Sequence, residues 1–436
     1  MDLLWRCYGG TSACLRAGYY LTAAKLEAEL SEHPQLFLTA LMKTKSFSRR
    51  SFIQQGLVLA AAPLAFTWTR AGLLAAETAG GATQTLSPSA LSAAKVAIVP
   101  CRTYGPEVHP ALEKCFDLIG GIGSLVKNKT VVVKLNLTGS DFRPVLGRPV
   151  GEMYMTHYTT ALALGSLLFA AGARRVRFVE STQKRDGLET TLGEAGWDVP
   201  ALSALGKVEF ENTRNLGQGK KYSHLRVPGG GYMFSAFDLN HTYEDTDVLV
   251  SLTKLKNHVT AGVTLSMKNL FGLPPNSLYG IEAGKETATA HRAPMHDPKG
   301  FESVKLPGMK ESGISAEPGW RVPRITVDMC ATRPIHLSII DGIMAMSGGE
   351  GPWCGEKLLK ATTPGVLIAG FNPVSTDAVG TAVMGYTNPR AARGVKPFQD
   401  CDNHLLLAEQ AGLGTADLSQ IDLRGMPIEK ARYPYG

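Results

Sequence analysis

Closely paired cysteines are missing from the greater part of this chain. After residue 80 the cysteines are Cys101, Cys115, Cys330, Cys354 and Cys401, with no two nearer than fourteen residues. That spacing excludes the C-x-x-C pattern of zinc and iron–sulfur sites, leaving one disulfide or buried free thiols as the alternatives. Blocks of like charge are missing too. The formal net charge is +7, but residues 1–76 carry eight Lys/Arg against four acids and so hold four of those seven charges. The remainder is nearly neutral and has no basic–aromatic run of the kind that tracks a phosphate backbone, so nucleic acid is not an expected partner. The apolar run at residues 56–68 is short for a membrane span, and no cysteine follows it closely enough to carry a lipid. A stable membrane anchor is therefore not expected. No internal repeat is visible.

What the chain does carry near its start is an export pattern. Ser48-Arg49-Arg50-Ser51-Phe52-Ile53 has paired arginines followed by bulky apolar residues, then the apolar run, then small residues at 71–82 where cleavage would fall. This order of charge, apolar core and small residues reads as a twin-arginine signal peptide over residues 42–80, with the twin-arginine translocase as its transient partner. Met42 stands where such a peptide would begin. Residues 1–41 lack periodicity and read as an upstream mis-start or a disordered leader. The expected destination is the periplasm or another extracytoplasmic space. Because this route moves folded proteins, it favours a protein that completes its folding, or takes up a cofactor, before export.

From about residue 94 short β-branched runs alternate with helical stretches. Strands are expected at Lys95–Pro100, 130–136, Arg175–Glu180, 247–252, 336–340 and 365–369. Helices are expected at 156–171, 188–195, 375–384 and 403–411, the first closed by Gly172. The pattern predicts one α/β domain over residues 81–436, with a mostly parallel sheet and helices on both faces. Glycine is abundant at 47 residues, and residues 273–324 are rich in Gly and Pro with little periodicity. So long an irregular segment suits an active-site loop or lid better than a linker.

Polar residues collect just past the expected strand ends: Lys134 and Asn136, Glu180 and Ser181, Lys254 with Lys256 and His258, Asp341, and Asn372. In open α/β sheets the ligand crevice lies outside the carboxyl ends of the strands. If the strand ending near Leu252 continues, Lys254, Lys256 and His258 share one face by the period of two. Such a set repels itself unless an anion sits opposite; a solvated edge strand with protective lysines is the structural alternative. Ten residues on, Thr264 and Lys268 share a helical face if that segment is helical, and Asn269 adjoins them. Three acids offer a different chemistry. Asp341, Glu350 in the Gly348–Gly351 loop, and Asp377 early in a helix would be the ligands of a divalent metal, unless Glu350 merely sits in a glycine-rich turn and Asp377 merely favours its helix N-terminus. His291, His296 and Asp297 fall in the irregular segment without diagnostic spacing and read as solvated loop residues.

Several of these segments together resemble domain-of-unknown-function family 362. The resemblance is carried by Lys254-Leu-Lys-Asn-His258, Gly262-Val-Thr-Leu-Ser-Met-Lys-Asn-Leu-Phe-Gly272, Asp341-Gly-Ile and Gly349-Glu-Gly-Pro352, and it extends over roughly residues 95–390. The Lys134-x-Asn136 strand end and Asp377 fit the same pattern. Some relatives carry ferredoxin-type cysteine clusters, which this chain does not. The resemblance implies the fold and the site but no reaction.

The reading that follows is an exported enzyme acting on a small carboxylate or phosphate. Lys134, Asn136, Lys254, Thr264, Lys268 and Asn269 bind the anion, while His258 and Lys256 carry the catalysis. In that picture the lysines stabilise developing negative charge and His258 serves as acid and base. A non-catalytic periplasmic anion- or cofactor-binding protein, and a redox protein with a cofactor other than an iron–sulfur cluster, are the alternatives.

Overall fold

Runs such as Thr130–Lys134 and Val248–Lys254 are buried at every position, as strands covered on both faces must be. The computed structural model describes residues 94–436 except Ser140, Ser303 and Glu356. The leader expected at 1–41 and the signal peptide expected at 42–80, with Arg49 and Arg50, lie outside the described residues. Eight strands form the main sheet: β1 (Lys95–Pro100), β2 (Thr130–Lys134), β3 (Arg175–Glu180), β4 (Val208–Asn212), β5 (Val248–Lys254), β6 (Leu337–Gly342), β7 (Val366–Gly370) and β8 (Asp422–Gly425). Their spatial order is β8-β1-β7-β6-β5-β2-β3-β4. In this sheet β7 alone runs antiparallel to its neighbours, and every other pairing is parallel. The chain has a mostly parallel α/β fold.

Helices cover both faces. On one, α1 (Val108–Ile119) and α2 (Tyr158–Ala170) place Val108, Leu112, Leu164 and Leu168 in a core with Val131, Val133, Val250 and Leu252. The short α3 (Leu188–Glu194) packs near β4. On the other face lie α4 (Leu265–Asn269), α5 (Pro318–Thr332), α6 (Pro373–Val383) and α7 (His404–Gln410). Met267, Ile325, Val379 and Leu405 from these helices share a core with Val132, Leu249 and Ile340. Alternate residues of one strand thus serve opposite cores, which is the period of two at work.

Three expectations need correction. β5 is central, held between β6 and β2, but it ends at Lys254, so the continuous strand face reaching to His258 does not exist. The irregular segment is shorter than 273–324, because α5 opens at Pro318, a residue suited to a first helical turn. Asn372 belongs to the wrong margin of the sheet. It follows the antiparallel β7, caps α6 by accepting from the Ser375 N–H, and donates to the Leu413 carbonyl.

Candidate functional site

A cleft of about 890 Å³ opens beyond the carboxyl ends of β2 and β3 and the segment that follows β5. Its floor is a buried polar network. Lys134 donates to Glu180 and to the Leu135 carbonyl, while the second Glu180 oxygen accepts from the Leu137 N–H. Asn136 donates to Asn269, and Asn269 in turn donates to the Lys134 carbonyl and Ser251. Gly272 closes over this network: a Cβ there would stand 2.7 Å from Lys134 Nζ and 3.0 Å from a Glu180 oxygen. Taking one partner out of a buried pair such as Lys134–Glu180 strands the other charge, so these two residues are fixed in place rather than free for ligand.

The chain leaving β5 divides its lysines between two environments. Lys254 turns away from the cleft into a buried ion pair with Asp341 at 3.2 Å, where its Nζ also donates to Tyr104 and to the Glu152 and Met344 carbonyls. This corrects the expectation that Lys254 binds substrate. Lys256 enters the cleft wall and donates to Thr138 Oγ1 at 2.8 Å, to the Tyr154 carbonyl and to the Glu350 carbonyl at 2.8 Å. Thr138 reaches it from a left-handed backbone conformation, φ 51°, which is strained for a residue with a branched Cβ. Burial pushes Lys256 down to about 7, opposed by the Glu350 carboxylate.

Lys268 reaches the same cleft from α4, as does Thr264, the residue before that helix. Two contacts hold α4. Asp377 accepts the Ser266 and Met267 N–H groups, each at 2.8 Å, and Ser251 donates to the Ser266 carbonyl. Lys268 Nζ stands 3.9 Å from the centre of the Phe271 ring and 3.5 Å from His296 Nε2. Burial pushes it down to about 7; Glu350 opposes this, while Arg292, Lys256 and Lys134 add to it. His258 lines the cleft and accepts the Thr260 N–H on Nδ1, so its Nε2 carries the proton when the ring is neutral. Burial first, then Lys268 and Lys256, hold it well below the ordinary imidazole range.

The acids do not assemble a metal site. Asp341 is occupied by Lys254, Tyr104, Thr160 and the Ile343 N–H. Asp377 caps α4 from within the core. Glu350 lines the cleft, but its carboxylate accepts from the Val259 N–H and the Trp353 indole. Among the described residues no group of three or more His, Cys, Asp or Glu could hold a metal ion, so the expected Asp341–Glu350–Asp377 set does not fit one. The five described cysteines are free, four of them buried.

Sequence reasoning missed Arg292 and undervalued His296. Both lie in the Gly/Pro-rich segment, where no periodicity marks a cleft-facing residue. Arg292 donates to Ser181, Asn276 and the Pro274 carbonyl, while its Nε is buried with no hydrogen-bond partner among the described residues. His296 packs on Phe271, ring centres 4.2 Å apart, rather than standing in solvent. His291 and Asp297 also line the cleft and are exposed.

An α/β sheet with a polar cleft of buried lysines at its strand ends is thus the class of protein in hand. The chain belongs to the DUF362 family, a domain of unknown function, matched over residues 131–382. It is 26% identical over 270 residues to a thylakoid-associated protein of Synechocystis sp., covering 60% of this chain and 67% of that protein. A crystal structure of a Thermotoga maritima protein aligns with a TM-score of 0.29 and 14% identity over 57% of this chain. That alignment takes in 52% of the other chain, so the match spans about half its length.

Proposed function

We propose that the protein is an exported enzyme whose cleft binds a small anion, a carboxylate or phosphate, between Lys256, Lys268, Arg292 and His258. The observation that carries the reading is uncompensated positive charge. Lys134 has Glu180, and Lys184 has Glu194 at the rim. Lys268, by contrast, is 5% exposed and hydrogen-bonds to no carboxylate among the described residues. Buried charge of this kind is costly unless paired, and an arriving anion supplies the pair. Lys268 and Arg292 then hold the anion. His258 Nε2–H is placed to donate a hydrogen bond to the reacting oxygen, while the three oxygens around Lys256 fix its ammonium as a charge for stabilising what develops in the reaction.

Export by the twin-arginine route rests on Arg49, Arg50 and the apolar run that follows, and the thylakoid association of the Synechocystis relative accords with an extracytoplasmic site. Native mass spectrometry of protein purified from its own compartment tests the assignment. A retained low-mass anion, lost from Lys268→Ala protein that melts normally, supports it. An anion retained equally by Lys268→Ala contradicts it.

A further inference from the structure

Among the cleft lysines Lys268 has a singular environment. Lys134 is committed to Glu180, and Lys256 to three oxygens. The Lys268 amine has an aromatic face on one side and a ring nitrogen on the other. The tautomer of His296 follows from its other nitrogen. Nδ1 lies 3.2 Å from the Arg292 carbonyl, which can only accept, so Nδ1 carries the proton and Nε2 turns a lone pair toward Lys268. His258 is the reverse, with Nδ1 accepting from Thr260 and Nε2 carrying the proton. The two rings lie within 12° of parallel, 6.2 Å between centres. One imidazole thus accepts from the amine while its neighbour presents an N–H that can donate a hydrogen bond. The backbone beneath is fixed, since α4 is tied to Asp377 and Ser251.

A buried amine surrounded by other cations is the setting in which a lysine becomes a nucleophile. The cations Arg292, Lys256 and Lys134 act on Lys268 from the segment before α5, from the segment after β5 and from β2 respectively, with Glu350 opposing them; His296 and His258 face it as neutral rings. The neutral amine is therefore populated near neutrality. The same cations attract a carboxylate, so the cleft favours a molecule with a carboxylate beside a carbonyl.

We infer that Lys268 is an amine nucleophile that forms a Schiff base with a 2-oxo acid held by its carboxylate against Arg292. The inference rests on the anion-site reading above and names its substrate class. Lys268 Nζ attacks the carbonyl carbon, forming the C–N bond and breaking the carbonyl π bond, and one N–H proton passes to the oxygen. The C–O bond of the resulting carbinolamine then breaks as C=N forms. The second N–H proton passes by way of the His296 Nε2 lone pair to the hydroxyl, which leaves as water, while His258 Nε2–H donates a hydrogen bond to the departing oxygen. One amine and one carbonyl give one imine and one water, with no change of oxidation state.

The test is reductive trapping. Wild-type protein is incubated with pyruvate or 2-oxoglutarate, reduced with borohydride and mapped by peptide mass spectrometry, while calorimetry measures binding of 2-oxoglutarate and of 2-hydroxyglutarate, which has no carbonyl. The expected result is a stable secondary amine on Lys268, absent from Lys268→Arg protein that melts as the wild type does. Binding of both acids with Lys268 left unmodified, or labelling spread over other lysines, overturns the Schiff base and leaves the anion site standing. Absence of both binding and adduct defeats the two together.

Discussion

Anion affinity in the cleft should fall as pH rises through neutrality, and the structure fixes how steeply. Burial pushes both Lys256 and Lys268 down to about 7, but the two are not equivalent. Lys256 is held by three oxygen acceptors that favour its charged form, whereas among the described residues Lys268 meets a ring face and an imidazole nitrogen. Lys268 is therefore the group whose protonation an anion controls. Below its free value the lysine is already charged, and affinity is level. Above that value the anion must bring a proton with it, at about 1.36 kcal/mol per pH unit, so the dissociation constant rises roughly tenfold per unit until the bound lysine also titrates. The neighbours that set this behaviour are Glu350, Arg292, Lys256 and Lys134; His258 and His296 are neutral throughout the window. Calorimetry with 2-hydroxyglutarate, which is fully ionised between about pH 6 and 9, reads the effect without interference from the ligand. Repeating the titration in buffers of different ionisation enthalpy counts the protons taken up. Affinity that is level or rising across that range, or binding without proton uptake near pH 8, refutes the reasoning.

The buried pairs make separate predictions. Asp341→Ala strands Lys254 and should destabilise the protein by about 3–5 kcal/mol, read by denaturant unfolding; the double variant Lys254→Met with Asp341→Leu should recover most of that loss. Asp377→Ala leaves the Ser266 and Met267 N–H groups without their acceptor and should cost about 1–3 kcal/mol. Because α4 carries Lys268, it should also weaken 2-hydroxyglutarate binding, whereas the Asp341 variant should do so only in proportion to unfolding. Without ligand, stability should rise between about pH 7 and 8.5, as the unfolded chain holds lysine protons that the folded cleft has released; melting temperatures in that range check the sign.

How far the sequence reveals the site depends on what kind of signal each residue leaves. β1, β2 and β3 are legible because β-branched runs buried on both faces leave little else for them to be, and Arg175–Glu180 is bounded as expected. The edge strands β4 and β8 are only partly buried and mix polar with apolar residues, which erases that signal. Strand direction leaves no trace in periodicity, so the antiparallel β7 could not be seen, and with it went the placement of Asn372. The lysines after β5 show the same limit. Their spacing suggests one shared face, but the strand stops at Lys254 and the turn sends Lys254 and Lys256 to different neighbours. Lys134, Asn136, Lys256, His258, Thr264, Lys268 and Asn269 do meet at one cleft, because they follow strand ends or sit on the helix packed there. Arg292 and His296 arrive from a segment without periodicity, and only long-range packing on Phe271 and against Asn276 places them.

Calorimetric titration of 2-hydroxyglutarate into wild-type protein, Lys268→Ala and Lys254→Met, each checked by melting, tests the central claim most directly. A charge-assisted contact contributes about 1.5–3 kcal/mol, so Lys268→Ala should bind roughly tenfold or more weakly, with its fold retained. Lys254→Met should lose stability and keep its affinity in the fraction that remains folded. Equal affinity in wild-type and Lys268→Ala protein, with the loss falling on Lys254→Met instead, would contradict the account.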